Sequence, residues 1–252
     1  MLLELPPCSH TTQPPKTVVH NAFVLNPERV LALLKQTPLF GHLYDAELQT
    51  AFCQAKTRRL LKGECLYSET EAADSVYLLL EGEVQIFVSN GETKRYVLKQ
   101  FNPGDLLGVD SFIGREARGN SCVAEGSCLL LEFSRTMLSA LFCSEDGLPH
   151  CEQAFSSITY YLVSLVRSMT MLTRNLSLLD VYGRLRILIN QLLVEQDGMM
   201  VLRKTLTQQE IADQIGSSRE MVARILKELV YGHYIAIDNR RISVLKMLPE
   251  NF

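Results

Sequence analysis

Three rhythms of apolar and polar residues follow one another along the 252-residue chain. In the first half, short runs rich in Val, Leu, Tyr and Phe, "ECLYSE", "SVYLLLEGEVQIFV", "RYVLKQF" and "CLLLEFS", are separated by turn residues at Gly82, Asn90 with Gly91, and Pro103 with Gly104. Many short strands at this spacing predict an antiparallel barrel or jelly roll. The rhythm then lengthens. Ile158, Leu162, Leu165, Met169, Leu172, Leu176 and Leu179 recur in alternating steps of four and three, the a/d seam of a two-stranded coiled coil and hence of a homodimer. The same stripe could instead dock on the barrel of its own chain. Asp180 follows as an N-cap, and a helical pattern runs over 181–193.

The third rhythm is broken in the middle. In "TQQEIADQIGSSREMVARILKEL", residues 207–229, Thr207 with Glu210 predicts a capping box, Gly216 a left-handed stop, and Ser217 or Ser218 the cap of the next helix. This is a helix-turn-helix pattern. "YIAI" and "RISVL", flanking Asp238 and Asn239, add a hairpin wing. A Pro- and Thr-rich arm (1–26) therefore precedes a barrel (27–149, opening on a short helix at 27–35), a dimerisation helix and hinge (150–180), and a winged helix-turn-helix (181–252).

Charge changes the picture only in the last block. The chain carries a formal net charge of -3. Between Arg203 and Lys246, however, eight basic residues face five acidic ones, which leaves a deficit of six elsewhere. On the second helix Val222, Ile225, Leu226 and Leu229 form the inward stripe. Arg219 and Arg224 can then bond guanine O6 and N7, and Glu220 can accept from cytosine N4, in a DNA major groove. Gln209, Ser217, Ser218, Lys227, Arg240 and Arg241 are expected at phosphates, where they fix register without reading sequence. The alternative is a solvated Glu220–Arg224 pair worth a few tenths of a kcal/mol, about the usual size for helix neighbours.

Other classes find little support. No apolar run reaches the roughly 18 residues of a membrane span, and the start lacks a secretory pattern, so a cytoplasmic protein without membrane contact is expected. The seven cysteines form no CxxC and read as buried free thiols. No His lies between His42 and His150, so a cupin-like metal site lacks ligands. No GxSxG motif is present and no catalytic residue is assigned. The remaining rival is a ligand-binding module whose C-terminal unit contacts protein; salt-dependent binding to duplex DNA separates the two.

With these motifs in place, the chain resembles the Crp/Fnr family of bacterial regulators over nearly its whole length after the arm. The likeness lies in the barrel at "SVYLLLEGEVQIF" and "FNPGDLLG", the hinge at "LLDVYGRL", and the reading head at "QEIADQIGSSREMVARILKEL". It implies an α+β architecture: a cyclic-nucleotide-binding-like β jelly-roll barrel, a coiled-coil dimerisation helix and a C-terminal winged helix-turn-helix. The Arg-Glu-x-x-x-Arg core matches the catabolite activator branch, which implies a bent, palindromic GTGA-type site read by Arg219, Glu220 and Arg224. For an activator, the resemblance implies RNA polymerase as a further partner.

The effector end departs from that pattern. Cyclic-AMP-binding members carry Gly-Glu after "GD", then an Arg followed by Ser or Thr. Here Gly108 precedes Val109, and the Arg position aligns with Gly119, one residue from Arg118. The family's Thr-Ser pair on the dimer helix is replaced by Met169 and Thr170. Val accepts no hydrogen bond and Gly pairs with no phosphate, so cyclic AMP is not the expected effector. A pocket for another small effector would draw on Val109, Arg118, Asn120, Ser121, Met169 and Thr170; otherwise Arg115 and Arg118 are solvated loop charges. An iron–sulfur cluster is not expected, since only Cys8 lies in the arm. Haem is not expected either, because His20, His42, His150 and Cys151 lack motif context.

Overall fold

A computed structural model describes residues 18–20, 23–91, 94–142, 148–196 and 198–250. Expectations for the first 17 residues, Cys8 included, lie outside the described residues, as do those for the side chains of His20, His150 and Cys151. Within the stretch read as an arm, β1 (Val18–His20) and β2 (Phe23–Leu25) pair antiparallel. Two helices follow, α1 (Pro27–Lys35), capped by Asn26 and starting on a proline, and α2 (Asp45–Gln54).

The barrel is built from β3 (Lys56–Leu60), β4 (Cys65–Tyr67), β5 (Ser75–Glu81), β6 (Val84–Ser89), β7 (Arg95–Phe101), β8 (Leu106–Leu107), the short helix α3 (Val109–Gly114), β9 (Ser121–Ala124) and β10 (Cys128–Ser134). Its strands form two four-stranded sheets, in the orders β3-β10-β5-β8 and β4-β9-β6-β7. In β5 every residue from Ser75 to Leu80 is buried. Val76, Leu78 and Leu80 face the core shared with α1, α2 and the helix α4 (Arg135–Phe142). Tyr77 and Leu79 face the core between the sheets, with Tyr67, Leu107 and Leu130. A strand covered on both faces reads as one apolar run rather than an alternation, which is why "SVYLLL" carries no period of two.

Helix α5 (Leu148–Leu178) runs for 31 residues. Ile158 and Tyr161 pack against the barrel core, but further along Leu162, Met169 and Leu176 are 37–39% exposed, and Val163 and Val166 more so. The stripe is thus docked at its start, and beyond it exposed residues alternate with the half-buried Leu165, Leu172 and Leu179. Asp180 caps α6 (Val181–Leu192), accepting from the Gly183 N–H at 2.7 Å.

Where the sequence suggests only a short connection, "VEQDGMM", a hairpin forms: β11 (Leu193–Gln196) pairs with β12 (Met199–Leu202), turning at Gly198 with φ of 74°. The Asp-Gly pair was the available hairpin signal. The reading head is completed by α7 (Gln208–Ile215), α8 (Arg219–Tyr231), β13 (Ile235–Asp238) and β14 (Arg241–Val244), the sheet running β11-β12-β14-β13. In the wing the two left-handed residues are Asn239 and Arg240, one position later than expected, and Asp238 pairs with Arg241.

Candidate DNA-reading site and barrel pocket

Local rules position the reading helix. The Thr207 hydroxyl accepts from the Glu210 N–H at 3.1 Å, and the Glu210 carboxylate accepts from the Thr207 N–H at 2.6 Å, closing the capping box that starts α7. Partial burial acts against the Glu210 carboxylate, yet these bonds from Thr207, with the Lys62 and Lys204 charges, hold its pKa below the ordinary value. Gly216 ends the helix at φ of 65°. An added Cβ there would also lie 3.2 Å from the Tyr96 ring, which would have to give by a few tenths of an ångström, but it is the conformation that calls for glycine. The Ser218 hydroxyl caps α8, accepting from the Met221 N–H at 3.2 Å.

On α8, Val222, Ile225, Leu226 and Leu229 are buried, while Glu220, Arg224 and Lys227 stay exposed on the opposite side. Arg224 leans on the Met221 thioether, Nη2 to Sδ 3.0 Å. Hydrogen bonds from its own backbone N–H and from the Ser218 hydroxyl hold the Glu220 carboxyl below its usual range, and the Arg219 charge adds to this. Arg219 stands at the helix start and lines, with Arg240, Thr207 and Gln209, a hollow of about 490 Å³ between α7 and the wing.

The residues expected at phosphates are spread over this surface, several with protein partners. Gln209 donates to Asp213 at 2.7 Å, Arg241 donates to Gln196, and the Ser218 hydroxyl serves as the cap. Ser217 and Ser218 border a hollow shared with Asn90, Lys94 and Arg95 of the β6–β7 hairpin. Lys227 and Arg240 are exposed.

The barrel pocket corrects one expectation outright. Arg118 is no solvated loop charge: it is 3% exposed. Its Nη1 donates to the Gly108 carbonyl at 2.9 Å and its Nη2 to the Ser75 carbonyl at 2.5 Å. The guanidinium lies 4.4 Å from the Tyr67 ring centroid and 5.9 Å from that of Tyr77. Two carbonyls and two π-faces meet most of what water would otherwise supply to the buried cation, while its Nε–H is buried without a hydrogen-bond partner. Gly108, with φ of 72°, leaves the room, since a Cβ there would stand 2.1 Å from Nη1. Arg115 is exposed, as expected.

The other pocket residues are also engaged. Asn120 accepts from the Tyr67 hydroxyl at 3.3 Å, and Ser121 accepts from the Glu69 N–H at 2.9 Å. Val109 is buried in the apolar core. Met169 and Thr170 lie on the exposed side of α5, and the Thr170 hydroxyl donates to the Val166 carbonyl at 2.9 Å. The cysteine expectation holds for Cys122 and Cys128 but not for Cys53 and Cys65, which are exposed. Burial pushes the Cys122 thiol up to about 12.

Residues between the two sites carry no motif and escape a reading of the sequence. Arg184 donates from Nε to the Ile215 carbonyl and from Nη1 to the Leu179 carbonyl, each at 2.8 Å, tying the hinge to the end of α7. Lys204 reaches the barrel, with Nζ 3.4 Å from Glu83 and 3.2 Å from Gln100. Arg184 lies within the quoted hinge "LLDVYGRL", which was a signal for location but not for role. For Lys204 the only trace was its place in the basic excess.

Comparison with known proteins decides the family. Residues 57–144 match the model of the cyclic nucleotide-binding domain, and residues 183–248 match that of the Crp-like helix-turn-helix domain. The chain belongs to the Crp/Fnr family of transcriptional regulators. It is 29% identical over 182 residues to the cAMP-activated global transcriptional regulator CRP of Pasteurella multocida, a match that covers 69% of this chain and 82% of that protein. It is also 28% identical over 163 residues to the CRP-like protein Clp of Xanthomonas euvesicatoria, covering 63% and 70%. Among solved structures, the c-di-GMP-responsive global regulator CLP of Xanthomonas campestris superposes with a TM-score of 0.70 at 22% identity, covering 81% of this chain and all of that one. This Crp/Fnr member is accordingly a DNA-binding transcription regulator, in a family of regulators rather than enzymes. Among the described residues no helix is long and apolar enough to cross a membrane, and no group of His, Cys, Asp and Glu could hold a metal ion.

Proposed function

We propose that this regulator acts as a homodimer that reads an inverted repeat of GTGA-type half-sites. The observation that carries this reading is the outward stripe of α8. Glu220 and Arg224 stand one turn apart on the side opposite the buried residues, on a helix capped at its start and set off by the Gly216 turn. Arg224 and Arg219 take guanine and Glu220 takes cytosine. Lys227, Gln209, Ser217, Ser218, Arg240 and Arg241 hold the flanking phosphates. Ile158, Leu162, Leu165, Met169, Leu172, Leu176 and Leu179 supply the dimer seam, whose exposed members Leu162, Met169 and Leu176 a second copy would cover. Two-fold symmetry then sets half-site centres about one helical turn apart.

The barrel is a poor fit for cyclic AMP held by the family's pattern. The place of the ribose-binding carboxylate is taken by buried Val109, and the nearby cation, Arg118, is engaged with Gly108 and Ser75. An effector of the barrel would therefore meet Arg118 through its unpartnered Nε–H, displace it from these carbonyls, or act elsewhere on the domain. It shifts the regulator only so far as it binds one arrangement of the reading heads better than the other.

Selection of binding sites from random duplexes by the full-length protein tests the DNA reading. The expected product is an inverted repeat whose guanine preference relaxes at one position in Arg224→Ala. Recovery of no palindrome, or a loss in Arg224→Ala that is equal on all sequences, overturns it.

A further inference from the structure

We propose that Tyr231 is a further DNA contact, an uncharged donor to the sugar–phosphate wall of the groove at the far end of α8. The proposal rests on the reading of α8 as the helix that enters the major groove. Tyr231 is the last residue of that helix, and its side chain is 89% exposed. At about 100° per residue, Glu220, Arg224, Lys227 and Tyr231 fall within about 60° of one another, diametrically opposite the buried set Val222, Ile225, Leu226 and Leu229. Tyr231 also lines a hollow together with Arg224, Lys227, Glu228 and Gly232.

Distance along the axis separates the roles of these residues. Seven residues place Tyr231 about 10 Å beyond Arg224, at 1.5 Å per residue. The major groove is about 12 Å wide, so a helix that sets Arg224 at the base edges carries Tyr231 to a wall of the groove. The groups on that wall are phosphate and sugar oxygens, all acceptors, and a phenol offers one donor. Tyr234, three positions on, is a different case. It is half-buried against the core of the reading head, with Lys246 Nζ 4.2 Å from its ring centroid. Of the two tyrosines after Leu229, Tyr231 alone is turned away from that core.

The test uses the full-length protein and the duplex it selects. Tyr231→Phe should weaken binding about threefold to tenfold, the range of one ordinary hydrogen bond. The loss should be equal on the selected and on a scrambled duplex. Because a phenol displaces no counterion, the slope of affinity against salt should stay as in wild type, whereas Lys227→Ala should flatten it by about one. Methylphosphonates placed in turn along each half-site should include one position at which Tyr231→Phe and wild type bind alike. Thermal unfolding serves as the control and should be unchanged, since the side chain is 89% exposed and loses only its hydroxyl. Binding by Tyr231→Phe equal to wild type on every duplex overturns the proposal, as does a loss confined to one base pair, which would make the ring a base reader. Wild type that fails to bind duplex DNA sinks the α8 reading with it. Wild type that selects its palindrome beside an unaffected Tyr231→Phe sinks this inference alone.

Discussion

The reading head and the barrel pocket each gather cationic and polar side chains, but they treat them in opposite ways. On α8, Glu220, Arg224 and Lys227 are turned outward, and a thioether is the nearest partner that Arg224 finds. In the barrel, Arg118, Asn120 and Ser121 are each engaged by the protein itself, with carbonyls, a phenol and a backbone N–H. An exposed group can exchange water for a base edge at little cost, whereas a buried and bonded one must first break what it has. The first surface is open to a ligand, whereas the polar groups of the second are mostly taken up by the protein, the Nε–H of Arg118 apart. Substitutions should therefore alter DNA binding without stability at one end, and stability without direct DNA contact at the other.

The largest effect should come from the element that joins the two regions. Leu165→Lys together with Leu172→Lys places charges in the proposed seam and should yield monomers by sedimentation. Affinity for the selected palindrome should then drop by roughly a thousandfold or more, toward non-specific binding. A double variant that stays dimeric would show that Leu165 and Leu172 are not part of the contact that holds the two copies together. Next, Arg118→Leu leaves the Gly108 and Ser75 carbonyls unmet and should lower stability by about 3 kcal/mol, read from the urea midpoint. An unchanged midpoint would mean that the guanidinium holds nothing together, and the contrast between the two sites would fail.

Arg224→Ala sharpens the contrast from the other side. It should weaken the preferred site by about 1 to 3 kcal/mol while leaving the urea midpoint in place. Thr207→Ala removes one half of the α7 capping box and should cost about 1 kcal/mol of stability, with base preference retained. The smallest effect is expected from cyclic AMP. Calorimetry should show no micromolar binding, and DNA affinity should not respond to it. Tight binding that raises DNA affinity would show that Arg118 leaves its carbonyls readily, and the barrel would then be open after all.

What could be read from the sequence depended on range. The capping box at Thr207 and Glu210, the left-handed stop at Gly216, the Ser218 cap and the inward stripe of α8 are decided by residues within four positions of one another, so a string of letters already contains them. The long helix α5 and the spacing of its apolar stripe are legible for the same reason, since a helix repeats its own geometry. Strand rhythm in the barrel was visible, but β3 ("KTRRL"), mostly exposed, and β9 ("SCVA") were not, because each is held as a strand by pairing with segments far away in the chain.

Only the tertiary structure decided the fate of individual side chains that no local rule governs. Arg118 reads as a loop charge until β5 and Gly108 are placed beside it. Lys204 meets Glu83 across 121 residues of chain. Tyr231 and Tyr234 stand three letters apart, yet one faces solvent and the other the core. The physical reason is the same in each case. Caps, turns and stripes follow from the backbone's own hydrogen bonding and period, whereas whether a charge or a ring is free depends on which distant atoms the fold brings within about 4 Å of it.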